Sequence, residues 1–197
     1  MSKVLADISM SLDGFVTGPG AGPDNGLGDG GSPIHNWVFS GDPVDEDLLA
    51  AGTEQSGAVV MGRNLFDVID GPDGWNDEMG YGAQHAARPP FFVLTHRPPA
   101  SVRLGLDFTF VADGVESAVA AARAACPADK NVVVMGGGDV VRQVIDAGLL
   151  DELRIHLSPI IMGSGTPLFA NVQRHEFRQT DVRVSASATH LTLVPAS

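Results

Sequence analysis

Apolar positions in this chain come in short β-branched runs. Each run is broken by glycine or proline, and most are followed by a segment with helical spacing. Val4–Ser9 reads as a first strand. Asp45–Ser56 reads as a helix, Ala58–Met61 as a short buried strand, and Gly62–Val68 as the start of another helix. Phe91–Thr95 is a strand that ends at "THRPP", Phe108–Val111 a further short strand, and Val115–Ala125 an Ala-rich helix. Val132–Met135 is a strand that feeds the helix Asp139–Ala147 through three glycines. Asp151–Ile161 is a long, half-alternating strand. "ASATHLTLV" alternates clearly as the last strand, with Phe177–Val184 as its antiparallel partner. Strands alternate with helices in the middle and a hairpin closes the chain. That predicts an α/β fold over residues 1–197 as a single domain: a mixed, mostly parallel sheet flanked by helices, with a C-terminal antiparallel hairpin.

One stretch has no periodicity. Gly14–Ser32, "GFVTGPGAGPDNGLGDGGS", sits too early to join two domains, and a long structureless loop in a compact unit reads as a mobile loop at a site. Composition narrows the setting. The chain of 197 residues is 44% apolar, enough for a core, with no apolar run long enough for a membrane span. "MSKVLADISM" lacks the apolar centre of a secretory signal, and Cys126 stands alone as an inert thiol near a helix end; both suit a reducing cytoplasm. The net charge of −12 with scattered basic residues argues against nucleic acid or an acidic membrane as partner. It leaves room for a local site that takes a small anionic molecule.

Three strand ends supply such a site. In "NVVVMGGGDVVRQ" (residues 131–143) a strand meets Gly136, Gly137 and Gly138 and then a helix. The G-x-G-x-x-G dinucleotide fingerprint is broken, because Val141 stands where its third glycine belongs. A bare backbone and a helix start still favour an anion, and Asp139 reads as the cap of that helix. "AVVMGRNLFD" repeats the strand–Gly–helix pattern and adds Arg63, a two-pronged phosphate ligand. "VLTHRPP" places Thr95, His96 and Arg97 just past a third strand, where a hydroxyl, an imidazole and a guanidinium can clamp a phosphate monoester. The carboxyl ends of parallel strands share one edge. One phosphate does not need three such places, whereas a dinucleotide with a pyrophosphate and an extra ribose phosphate does, so the expected cofactor is NADPH.

With these segments in hand, the chain resembles the dihydrofolate reductase-like superfamily. It is most similar to the branch named for the C-terminal reductase domain of the riboflavin-biosynthesis deaminase–reductase. The resembling segments are "ISMSLDGFV", "IHNW", "VVMGRNLFD", "FFVLTHRP", "VMGGGDVVRQ" and "DELRIHLSPIIMGSGTPLF", in the family's order over most of the chain. The resemblance implies NADPH along the strand ends. Gly62, Arg63 and Asn64 would meet its phosphates, and Thr95, His96 and Arg97 the adenosine phosphate. Gly136, Gly137, Gly138, Asp139 and Val140 would hold the pyrophosphate and nicotinamide side. Ile8, Asp13, Gly14 and Phe15 would lie near the nicotinamide under the loop. It also implies a homodimer.

The substrate side carries weaker signals. Folate reductases use one carboxylate on the helix after the loop, and counting back from Met61 points to Asp45 or Glu46; the helix dipole alone also accounts for acids in a first turn. His35 and Trp37 are candidates for the pocket wall, as are Gly163 and Gly165 in the turn of "IIMGSGTP". His156, mid-strand, reads as a packed or inter-strand bonded residue. No metal-ligand spacing occurs, and the H-x-E and P-C-x-x-C segments of a zinc deaminase are absent. The expected activity is a stand-alone NADPH-dependent reduction of a C=N or C=O bond in a small heterocycle, resembling 5-amino-6-(5-phosphoribosylamino)uracil reductase. Dihydrofolate reduction and a non-catalytic nucleotide-binding paralogue are the alternatives.

Overall fold

A computed structural model describes residues 2–76, 78–81, 83 and 88–196. The chain runs β1 (Val4–Ser11), β2 (Phe15–Thr17), a 3-10 helical stretch (Ser32–Phe39), α1 (Pro43–Glu54), β3 (Ser56–Gly62), α2 (Arg63–Ile69) and β4 (Phe91–Leu94). It continues through β5 (Phe108–Val111), α3 (Val115–Ala125), β6 (Asn131–Gly136), α4 (Gly138–Asp146), β7 (Glu152–Ser158), β8 (Thr166–Pro167), β9 (Phe177–Val184) and β10 (Thr189–Pro195). The main sheet has the order β5-β4-β3-β6-β1-β7-β10-β9. Strands β5 to β7 in that order are parallel, and β10 runs antiparallel to both β7 and β9. The mixed, mostly parallel sheet and the closing hairpin are those the alternation predicts.

Both faces of the central strands are covered. β3 is buried along its whole length, as a parallel strand between helical layers must be. Its residues alternate: Ala58 and Val60 join the cluster under α3 and α4, whereas Val59 and Met61 join the cluster under α2. α4 places Val140, Val141, Val144 and Ile145 on one face, and that stripe seals the first cluster. In the second, Phe66 meets Phe108 and Phe110 edge-on, each at 5.1 Å. Burial of each such side chain is worth about 1.5–3 kcal/mol. The 3-10 stretch and α1 lie on α2's side of the sheet, since Trp37 stacks on His156 and the neighbouring Ile155 faces the α3–α4 cluster.

Element boundaries differ from the sequence reading in informative places. α1 begins at Pro43, two residues before the expected Asp45. Asp42 caps it, accepting from the Val44 N–H at 2.9 Å, and Pro43 takes the first helical position. α4 begins at Gly138 with Gly137 before it, so Asp139 lies inside the first turn and does not cap the helix. Its carboxylate instead takes Arg142 Nη2 at 3.0 Å and Gln143 Nε2 at 2.8 Å. Residues 14–32 are not structureless. β2 pairs with β8, and farther on the Gly18 N–H donates to the Leu27 carbonyl and the Asp29 N–H to that of Pro19. Among the described residues, no helix is long and apolar enough to cross a membrane.

Candidate functional site

The chain order creates a crevice at the carboxyl edge of the sheet. β3 and β6 are neighbours, with Met61 opposite Gly136. From β3 the chain enters α2 on one face; from β6 it enters α4 on the other. Strand ends whose helices diverge in this way leave a gap between them, the usual ligand position in α/β sheets. Gly62, Arg63 and Asn64 form one lip, and Gly136, Gly137, Gly138, Asp139 and Val140 the other. Neither helix start is capped by a side chain.

The glycines of the crevice have different reasons to be glycine. Gly136 has φ +124° and is joined to Gly137 by a cis peptide. A Cβ on Gly137 would meet nothing within 4 Å, so its backbone is open to a ligand. A Cβ on Gly62 would come within 2.9 Å of Val140 Cγ2, and one on Gly138 within 3.2 Å of Val16 Cγ2. Those two are small because protein fills the space. Ile8 of β1 reaches the same point, its Cδ1 4.0 Å from where a Cβ of Gly136 would stand.

The third strand end is tied to the first. Arg63 donates from Nε to Asp67 at 2.7 Å and from Nη1 to the Arg97 carbonyl at 2.6 Å. The Thr95 hydroxyl donates to the Arg97 carbonyl and accepts from the Arg97 N–H, so it shapes the turn that carries Arg97. Thr95 is buried, while His96 and Arg97 are exposed at the edge. β4, β3 and β6 are consecutive in the sheet, so the three segments expected to take an anion lie side by side.

Asp13 anchors the loop above this edge. It accepts from Ser11 Oγ at 2.7 Å and from the N–H groups of Met162 at 3.0 Å and Gly163 at 2.7 Å. The Ser11 hydroxyl and those amides hold its carboxyl down at about 2. The Gly14 carbonyl accepts from the Leu168 N–H, and Phe15 pairs with Pro167. A Cβ on Gly165 would collide with the Thr17 carbonyl, which makes that glycine a packing requirement. Gly163 and Gly165 thus belong to the loop's attachment.

Below β1, on α1's side of the sheet, lies a chain of four titratable groups. His156 Nε2 is 2.9 Å from Asp7 Oδ1, His156 Nδ1 is 2.7 Å from His190 Nδ1, and His190 Nε2 is 2.8 Å from Asp45 Oδ1. Ser40 Oγ donates to the other Asp45 oxygen at 2.5 Å. Trp37 covers the chain, its ring stacked on His156 at 4.0 Å and its Nε1–H donating to Ser9 Oγ at 2.9 Å. Burial opposes ionisation of Asp7, but the charge and hydrogen bond of His156, helped by Arg154 and His190, hold its carboxyl below the usual range. Burial likewise opposes ionisation of Asp45, and hydrogen bonds from Ser40, Ser185 and His190 overcome it. Burial and the charge of His156 pull His190 down, and the same two causes act on His35.

Of the substrate-side candidates, Asp45 is fully buried in this chain, Glu46 is exposed, and Trp37 stacks on protein. Asp7 and His190 are the members that sequence reasoning missed. A signal existed: an acid in the apolar strand "VLADISM", and two histidines in strands destined to pair. His190 stands directly opposite His156 in the β7–β10 register. Among the described residues, no group of three or more His, Cys, Asp or Glu is arranged to hold a metal ion.

Comparison with known proteins fits this geometry. The family model of the RibD C-terminal domain matches residues 2–193. A candidate riboflavin biosynthesis protein from Shewanella sp. PV-4 superposes with a TM-score of 0.72 at 24% identity, covering 100% of both chains. The diaminohydroxyphosphoribosylaminopyrimidine deaminase/5-amino-6-(5-phosphoribosylamino)uracil reductase of Thermotoga maritima superposes at 0.62 with 15% identity, over 99% of this chain and 57% of that one. Dihydrofolate reductase from Enterococcus faecalis, solved with NADP(H), gives 0.58 at 17% identity over 99% and 97% of the two chains. These likenesses establish the dihydrofolate reductase-like fold.

Proposed function

The chain belongs to the RibD C-terminal domain family, and from that premise we propose that it is an NADPH-dependent reductase. It delivers hydride to a C=N or C=O bond of a small heterocycle of the ribosylaminopyrimidine kind. The observation that carries this reading is the crevice between β3 and β6. There Gly137 leaves backbone open, and Arg63 and Arg97 stand on the adjoining strand ends.

These residues suit a dinucleotide phosphate. Open peptide at a helix start attracts a pyrophosphate, and the Arg97 guanidinium, exposed one strand away, suits a ribose phosphate. When bound, the cofactor supplies the hydride; the chain supplies position, an apolar wall at Ile8, and cover from residues 14–32. The activity of the Thermotoga enzyme and the NADP(H) in the Enterococcus structure support the choice of substrate and cofactor.

The test is loss of NADPH absorbance with 5-amino-6-(5-phosphoribosylamino)uracil, with dihydrofolate, and with neither. Consumption with the pyrimidine alone is the expected result. Consumption with dihydrofolate instead redirects the reading to folate reduction. NADPH binding without turnover on any pyrimidine, pterin or carbonyl substrate supports the non-catalytic alternative.

The assembly proposed is a homodimer in the cytoplasm. β9 is the sheet's edge and is exposed along nearly all its length, Val182 and Val184 included, so it offers a seat for a second copy. A monomer mass by light scattering would contradict that.

A further inference from the structure

We propose that Asp7, His156, His190 and Asp45 form one proton relay that hands a proton, through Asp7, to the substrate atom left basic by hydride transfer. The inference rests on the reductase reading for its role, and on geometry for the proton count.

The count follows from the contacts. Three short contacts join the four groups end to end, and each needs one proton between its partners. Two neutral histidines bring only two protons. With two, one contact would set lone pair against lone pair. The chain is complete when a third proton is present: each Nε2–H donates to its carboxylate, and one Nδ1–H donates to the facing Nδ1. Burial, and then His156, pull His190 toward its neutral form, and His156 holds the Asp7 carboxyl below the usual range against burial.

The relay has one open end. The Asp7 side chain is 30% exposed against 6% for His156. At the other end His190 is 5% and Asp45 1% exposed. Asp7 precedes Ile8 in β1, so its carboxylate stands on the α1 side of the sheet, opposite the Ile8 side chain and one residue short of the carboxyl edge that carries the crevice. The other titratable groups facing Asp7 are Arg154 on β7, itself paired with Glu152 at 2.7 Å, and Tyr81, while His35 on the 3-10 stretch faces His156. Burial and the charge of Asp7 push Tyr81 up to about 12, so it stays a neutral phenol beside the relay.

The step balances. As the substrate carbon takes hydride, its neighbouring nitrogen or oxygen gains an electron pair. The Nε2 proton of His156 passes to Asp7, and Asp7 gives one proton to that atom. His156 becomes neutral and keeps its Nδ1–H on His190. Water at the Asp7 end then restores the missing proton. Asp7 is the catalytic residue in this scheme; His156, His190 and Asp45 are positioning residues that act through it.

Long-range proton–nitrogen spectra of histidine-labelled wild-type protein, taken across pH without any ligand, read the relay directly. The expected result is one doubly protonated ring and one protonated at Nε2 alone, with both rings changing in a single step. Two rings that titrate independently, or that are both singly protonated at neutral pH, overturn the proposal. The second arm is Asp7→Asn, assayed with NADPH and the ribosylaminopyrimidine. Turnover should fall about 100-fold, its pH dependence should flatten, and NADPH affinity should stay unchanged. Unaltered turnover overturns the relay while leaving the reductase reading in place. Coupled rings in a protein that does not bind NADPH remove the reductase reading, and the relay's catalytic role with it. Should Asp7→Asn not fold, the wild-type spectra decide alone.

Discussion

Gly62 and Val140 pack so closely that a methyl group on the glycine would stand 2.9 Å from Val140 Cγ2. This contact sets the width of the crevice floor, because Gly62 ends β3 and Val140 lies in the first turn of α4. Gly62 has φ −85°, so no backbone strain enters. Gly62→Ala should therefore cost about 1–3 kcal/mol through overpacking alone, read as a lower denaturant midpoint. Val140→Ala should relieve much of that cost in the double variant. If the two costs simply add, the packing account of Gly62 is wrong.

Asp13 makes the loop's attachment pH-dependent. Its folded pKa of about 2 lies below the roughly 3.9 of an unfolded aspartate. A depressed carboxyl stabilises the fold above the unfolded value and loses that contribution as pH falls through the folded one. The window is thus from about 4 down to about 2. Thermal midpoints followed through that window should fall less steeply for Asp13→Asn than for wild type. Identical slopes would show that the carboxylate does not hold the turn at Met162 and Gly163.

The loop at residues 14–32 is fastened at its start and folded on itself beyond. Removal of its glycine-rich centre, residues 20–26, should lower turnover more than NADPH affinity, because the crevice residues are supplied by β3, β4 and β6. Turnover and dissociation constant measured on the same variant separate the two. Equal turnover would remove the loop from the reaction.

Much of this molecule was legible where structure is local. The strand–Gly–helix segments at Gly62 and Gly136 announce themselves through bare backbone and helical spacing, and they lie on adjacent strands as an α/β alternation implies. Legibility ended where the third dimension decides. Nothing in "VVMGRN" says that the space beside Gly62 belongs to Val140. Thr95 reads as a phosphate ligand until the turn folds and its hydroxyl bonds the Arg97 backbone. The helix start at Pro43 was hidden because "GDP" resembles a loop, although Asp followed by Pro is also a cap and first position. The Asp7–His156–His190–Asp45 chain depends on tertiary placement: Asp7, His156 and His190 meet because β7 lies between β1 and β10, and α1 packed on that face brings Asp45 to His190 from 145 positions away.

Direct titration is the sharpest test of a phosphate-reading dinucleotide site on the three neighbouring strand ends. NADPH and NADH are each added to the protein, with tryptophan fluorescence from Trp37 and Trp75 as the readout, and the titrations are repeated with Arg63→Ala and Arg97→Ala. NADPH should bind more tightly than NADH, and each substitution should weaken NADPH about 10- to 100-fold, the worth of a charge-assisted contact. Equal binding of the two cofactors, or NADPH affinity unmoved by both substitutions, would contradict such a site.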